Sequence, residues 1–273
     1  MKELTTRALS GIIYISLLIL SLKSQSALTV LFFVFGLICL AEFNKLIQLK
    51  GFVPYLIFIA LYGLFAYWQH FANTDRGFTE TTQILQVITL FVHLFLIKDL
   101  FSEKTIPLFK TKQYIVMTFY LTSAFIFLNL IANYNKTFVP SILLGTFILA
   151  WVNDTFAYIV GRTLGRQKLF ARISPKKTVE GFLGGLFFAC VASYFISIFT
   201  ETLGFTNWLI MGIIVSVFGT LGDLIESKFK RQANVKDSGV IMPGHGGLLD
   251  RLDSIIFASP FVFLFLRLLK HVS

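Results

Sequence analysis

Long apolar runs separated by short polar stretches recur from one end of this chain to the other. A helix needs about 20 apolar residues to cross a hydrocarbon core roughly 30 Å thick. Nine runs are candidates: Ala8–Leu22, Ala27–Phe43, Val53–Trp68, Gln83–Ile97, Tyr114–Ala132, Phe138–Val160, Phe182–Phe199, Trp208–Ile225 and Ile255–Leu269. The fourth and ninth are the weakest by length. None alternates apolar with polar residues, which argues against the strands of a membrane β-barrel. The pattern predicts an all-α, polytopic membrane helix bundle of about nine transmembrane helices. No linker, low-complexity tract or soluble domain interrupts it.

Composition agrees. Hydrophobic residues make up 56% of the chain and charged residues 14%, against about 25% charged in a soluble domain. So little polar surface cannot cover a water-facing globule. The two cysteines, Cys39 and Cys190, lie inside apolar runs and read as small buried residues rather than a disulfide or metal pair.

Charge sets the orientation. With nine spans, the N-terminus and every second connection share one face, and that face collects 19 of the 24 Lys and Arg. Positive residues mark the cytoplasmic side. The N-terminus and the long polar connections are therefore expected in the cytoplasm of a bacterial inner (plasma) membrane, with the C-terminus outside. The net charge of +10 does not argue for nucleic acid, because the charges sit at helix ends, where anionic headgroups attract them. The first run has a basic start but no small-residue cleavage site after it, so it reads as a retained span rather than a signal peptide.

The two parts of the chain differ. Residues 1–137 keep their polar residues at loops and read as scaffold helices with lipid or subunit contacts. In residues 138–273, Asp154, Glu180, Asp223, Asp250 and Asp253 enter or abut the spans. A carboxylate at mid-helix depth costs about 2.5–3.5 kcal/mol on insertion scales, so the chemistry is expected there.

Three polar groups carry it. In the first, Asn153 to Arg162, Asp154 and Tyr158 are four apart and share a helical face. A functional cluster facing the bundle and an ion pair of Asp154 with Arg162 at a helix end are equally open. In the second, Arg172 to Gly181, Pro175 and Gly181 bracket a turn and a helix start that Thr178 can cap. Lys176 and Lys177 beside hydroxyls and helix-start amides suit an anion, and the nearby Ser174, Thr178 and Glu180 favour a functional group over an ordinary positive-inside loop. The third runs from Ser227 to Asp253, SKFKRQANVKDSGVIMPGHGGLLDRLD, approached by Asp223 at the end of the eighth span. Asp250 and Asp253, three apart, share a face. With Asp223 they can hold Mg²⁺ through hard oxygen ligands. Lys230, Arg231 and Lys236 can neutralise a leaving pyrophosphate. Gly244, Gly246 and Gly247 let backbone approach a phosphate closely. His245 alone would read as a loop histidine; inside this cluster it reads as functional.

The third run resembles the hallmark motif of the CdsA family, the phosphatidate cytidylyltransferases, at Ser227, Lys230, Arg231, Lys236, Asp237, His245-Gly246-Gly247, Asp250, Arg251 and Asp253. The runs Ser174–Gly181 and Asn153–Arg162 resemble two further elements of that family. Before residue 138 the likeness extends only to a set of hydrophobic spans. The resemblance implies transfer of CMP from CTP to phosphatidate, giving CDP-diacylglycerol and pyrophosphate. It implies Asp223, Asp250, Lys236 and His245 as the catalytic set, and Asp223, Asp250 and Asp253 at Mg²⁺, with a second cation as a further family expectation. Ser174, Lys176, Lys177, Lys230, Arg231, Gly246 and Gly247 would bind CTP and phosphates, and Asp154 and Glu180 would form a further polar site. The implied partners are CTP, phosphatidate and the bilayer, with no nucleic acid; a homodimer is an expectation of the family alone. The reaction suits these residue types, because phosphatidate brings its own anionic nucleophile and the protein must hold two polyanions together. Two rivals are a CTP-dependent polyprenol or phytol kinase, which would release CDP, and an ion-coupled transporter. A transporter would have no need of so dense a set of phosphate-binding groups on one face.

Overall fold

A computed structural model describes residues 2–68, 75–134, 137–244 and 246–272. Nine helices occur among these residues. They are α1 (Lys2–Ser21), α2 (Gln25–Leu46), α3 (Val53–Ala66), α4 (Asp75–Phe101), α5 (Lys110–Ala132), α6 (Pro140–Thr163), α7 (Val179–Thr200), α8 (Phe205–Gln232) and α9 (Leu249–Val272). Between α6 and α7 lies a small antiparallel hairpin, β1 (Lys168–Phe170) and β2 (Ser174–Thr178).

Each helix covers one of the nine apolar runs. Among the described residues, seven are long and apolar enough to cross a membrane: α2 and α4 to α9. The two shorter apolar segments are Leu9–Ser21 in α1 and Val53–Ala66 in α3, not the fourth and ninth runs. The reason is that α4 and α9 continue past their apolar stretches. They begin at Asp75 and Leu249 and carry polar first turns, which an apolar count leaves out. Such helices satisfy their own backbone groups where no water is present.

Contacts divide the chain into two units, each entered twice. One comprises Met1–Leu130 with Phe229–Leu252, the other Ile131–Lys228 with Asp253–Ser273. The divisions fall inside α5, α8 and α9.

In the first unit, α5 packs against α2, α3 and α4 through a π-helical segment, Met117–Thr122. A buried aromatic cluster fills the space: Phe43 lies 5.2 Å from Tyr120 and 5.3 Å from Phe229, ring centre to ring centre. Edge-to-face geometry such as the Phe43–Phe229 pair at 90° is the favoured arrangement. This unit also buries polar side chains, among them Glu42, Gln86, His93 and Asn129, where the sequence had suggested polar residues only at loops.

In the second unit, α6 packs along α7. A methyl at Gly181 would stand 2.7 Å from the Ala157 carbonyl, and at Gly185 2.6 Å from that of Asn153. Glycines at such positions let helices approach closely where lipid leaves no hydrophobic drive between them. The same device joins α8 to α9. A methyl on Gly222 would lie 2.8 Å from the Asp253 carbonyl, and on Gly219 3.3 Å from Ser254. These contacts place carboxylates from α6, α8 and α9 in one region.

Candidate functional site

Asp223 and Glu226 are three apart on α8 and therefore share a face. The Gly219–Gly222 contact brings Asp253 of α9 against that face. Asp223, Glu226 and Asp253 can each offer a ligand atom such that all three atoms lie within 4.8 Å of one another. Glu226 and Asp253 are buried, whereas Asp223 keeps accessible surface. Three hard oxygen donors, closed behind and open at one member, suit a small divalent cation.

Around the triad stand groups that set its charge. Lys177, near the end of β2, contacts Asp223 at 2.5 Å. Burial alone would lower the Lys177 pKa; the nearby carboxylates of Asp223, Asp253 and Asp154 outweigh it and hold the ammonium above its ordinary value. Lys177 therefore stays charged across the neutral range and would lose its proton only as pH rises through that elevated pKa. The Ser227 hydroxyl donates to Asp223 at 3.2 Å, and the Ser254 amide donates to Asp253 at 2.7 Å. Asp154 accepts from Asn153 at 3.3 Å and from the Ser254 side chain, and it feels Asp223 and Lys177. Arg162 instead donates to Tyr158 at 3.3 Å. Asp154 thus neighbours Asp223 and Lys177, residues distant from it in sequence.

The hairpin that carries Lys177 is built locally. Thr178 caps α7, its hydroxyl accepting from the Gly181 amide at 3.1 Å, a contact of the ordinary N-cap type. Glu180 accepts from the Arg166 and Gln167 amides at 3.0 and 3.1 Å, tying the entry of the hairpin to the first turn of α7. Ser174 opens β2 opposite Phe170, and Lys176 is exposed on the same strand.

A second carboxylate network lies in the other unit. Asp250, in the first turn of α9, takes the Lys230 ammonium on Oδ1 at 2.6 Å. Its Oδ2 accepts from the Ser238 amide at 2.9 Å, the Ser238 hydroxyl at 2.9 Å and the Gly247 amide at 2.8 Å. Both oxygens of Asp250 are thus engaged by protein donors. Glu42 of α2, 2% exposed, completes the network. It accepts from the Leu248 and Leu249 amides at 3.2 and 2.8 Å and lies 3.4 Å from the Ser238 hydroxyl.

The turn between α8 and α9 is tight. Met242 and Gly246 exchange backbone hydrogen bonds at 2.9 and 3.1 Å. Gly244 and Gly246 have φ of 77° and 92°, a region that residues with a side chain occupy only with strain. Lys236, Asp237, Val240, Gly244, Gly246 and Arg251 line an open cleft of about 480 Å³, within the range of roughly 300–1,000 Å³ usual for small-molecule sites. Arg231 donates to the Val235 carbonyl at 3.1 Å, closing the end of α8. His245, expected in the catalytic set, lies outside the described residues.

Two carboxylates escaped the sequence reading. Glu226 was legible, because it follows Asp223 by three in a helix. Glu42 showed only as a single acid in an apolar run, itself a functional signal in a membrane helix.

The whole chain is similar to known proteins. The cytidylyltransferase family matches residues 5–269. A phosphatidate cytidylyltransferase of Bacillus subtilis is 34% identical over 98% of this chain and 99% of its own length. Enzymes of the same name from Staphylococcus saprophyticus and Staphylococcus aureus are 52% and 48% identical over 43% of this chain and 46% of theirs. A match that runs nearly end to end, on a chain with these membrane helices and this concentration of carboxylates and cations, makes this protein a member of the cytidylyltransferase family.

Proposed function

We propose that the carboxylates and cations described above serve one reaction, the transfer of CMP from CTP to phosphatidate. The protein is an integral membrane enzyme of phospholipid biosynthesis, and its products are CDP-diacylglycerol and pyrophosphate. The observation that carries the assignment of residues is the triad Asp223, Glu226 and Asp253 with Lys177 beside it, in a chain of this family.

The donor set fits Mg²⁺: three carboxylates with no sulfur or imidazole among them. Bound there, the ion would neutralise developing charge on phosphate oxygens. Everything else falls to the chain. Phosphatidate supplies the nucleophile as a phosphate oxygen, so no serine, cysteine or strong base is required. Lys177, held charged by its carboxylate neighbours, and Lys176 on the exposed strand attract a phosphate to the triad. Lys236 and Arg251 in the cleft hold the triphosphate, and Gly244 and Gly246 let backbone amides come close to it. Lys230, fixed by Asp250, presents a positive charge in a defined position for the pyrophosphate that departs. Asp250, assigned to the metal on sequence grounds, serves in this reading through Lys230 and the turn.

The excess of Lys and Arg on one set of connections supports a cytoplasmic site, where CTP is present, with the lipid substrate entering from the bilayer. The test is incubation of the purified protein in mixed micelles with cytidine-labelled CTP, phosphatidate and Mg²⁺. Label should pass into a lipid-soluble product with release of pyrophosphate. Release of CDP, with no cytidine in the lipid phase, would show a kinase and sink the reading.

A further inference from the structure

Glu42 belongs to no part of the hallmark motif and sits more than 180 residues before it. Its surroundings are nonetheless those of the motif. We propose that Glu42 is a positioning residue for CMP transfer: from α2 it clamps the glycine turn and the start of α9, and so fixes Asp250 and the Lys230 ammonium that Asp250 holds. The proposal rests on the reading that Lys230 and Asp250 serve the reaction.

Four observations support it. First, the Leu248 and Leu249 amides are at the start of α9, where no carbonyl within the helix can reach them. Glu42 takes both, at 3.2 and 2.8 Å. A carboxylate is also the charge that a helix start favours, and here another helix delivers it. Second, the Ser238 hydroxyl has one proton and stands between two carboxylates, 2.9 Å from Asp250 and 3.4 Å from Glu42. The geometry favours donation to Asp250, while Glu42 limits where that hydroxyl can sit.

Third, two motif glycines are shaped by Glu42. A methyl on Gly239 would overlap the Glu42 carboxylate, and one on Gly247 would fall 2.6 Å from Glu42 Oε2 and collide with Ser238. Their lack of a side chain is explained by the buried carboxylate as well as by any phosphate. Fourth, Glu42 is buried at 2% exposure, and a buried carboxylate is tolerated only where donors surround it. The cost of burying it is met by the same amides that define the turn. The network is therefore one unit: Glu42 holds the Leu248 and Leu249 amides and stands beside Ser238, Ser238 and the adjoining Gly247 amide hold Asp250, and Asp250 holds Lys230.

The amide of Glu42→Gln keeps the size and one acceptor but turns an N–H₂ toward backbone N–H donors, so one of the two clamps is lost. A residue that positions a charge for the transition state should act on turnover rather than on nucleotide binding. The expected result is a fall in kcat of about 10- to 100-fold, the scale set by loss of one hydrogen bond to a charged group, with KM for CTP within about threefold of wild type. Gel filtration in detergent should show the variant folded. Ser238→Ala, which retains both amide contacts of Glu42, should also lower kcat, and the double variant should lose less than the product of the two single losses, because both act through Asp250. If Glu42→Gln does not fold, Glu42→Asp, which keeps the charge but draws the carboxylate back from the Leu248 and Leu249 amides, takes its place with the same expected fall in kcat.

Asp250→Asn, measured beside them, separates the two readings. Full turnover in Asp250→Asn would overturn the site assignment itself. Loss in Asp250→Asn together with wild-type kcat in folded Glu42→Gln, or in Ser238→Ala, would overturn the role of Glu42 alone. A rise in KM that accounts for the whole loss would do the same.

Discussion

The two carboxylate clusters of this protein are built from similar side chains and differ in what fills them. Around Asp250 and Glu42, backbone amides, a serine and Lys230 occupy the carboxylate oxygens. Around Asp223, Glu226 and Asp253, three acids come together, Lys177 stands against Asp223, and Asp223 keeps accessible surface. The first cluster is electrically satisfied by the protein and reads as a frame. The second brings one oxygen from each of three carboxylates within 4.8 Å of the others, a grouping that a shared divalent cation would stabilise. Carboxylate count alone would have rated the two alike; the grouping of three ligand oxygens in one of them tells them apart.

The comparison breaks first at Asp223. Asp223→Asn retains the shape and removes one anionic ligand and the partner of Lys177. Metal stabilisation is worth several kcal/mol, so activity should fall by about 10³ or more at 1.4 kcal/mol per decade. Glu201→Gln, in an exposed turn after α7, should be silent. Comparable rates in Asp223→Asn and wild type would refute the metal assignment.

Smaller effects follow from the cations. A charged hydrogen bond is worth about 1.5–3 kcal/mol, with the upper end for groups shielded from water. Lys177→Met should therefore cost about 100-fold in kcat/KM, and Lys236→Met, on the exposed wall of the cleft, about tenfold. Lys104→Met, also exposed but outside the motif, should change the rate less than about twofold, since a surface contact with lipid charge is worth about 1 kcal/mol and is screened by salt. Equal, salt-sensitive losses at Lys236 and Lys104 would mean that both only attract anionic lipid.

Much of this was legible in the sequence, for identifiable reasons. Apolar runs mark membrane helices because lipid tolerates little else, and all nine runs became helices. Thr178 was readable as a cap because capping is local. Helix length was less legible: α4 and α9 extend into polar residues that hydropathy discounts, so the shorter apolar segments among the described residues are those of α1 and α3. The partner of Asp154 was undecidable, since Arg162 is near in sequence while Lys177 and Asp223 are near only after folding. Glu42 was least legible of all. Its amide partners lie 206 and 207 residues away, and no local pattern in α2 names the turn it would meet.

The central claim is that one cluster holds the cation and the other holds the frame. Mn²⁺, a spectroscopic substitute for Mg²⁺, tests it directly by electron paramagnetic resonance titration of the purified protein without nucleotide. Glu226→Gln should weaken Mn²⁺ binding by about tenfold or more, at least the loss expected from disturbing a ligand's support, while Glu42→Gln should leave it within about twofold of wild type. Unchanged Mn²⁺ affinity in Glu226→Gln, with weakened affinity in Glu42→Gln, would reverse the two roles and contradict the account.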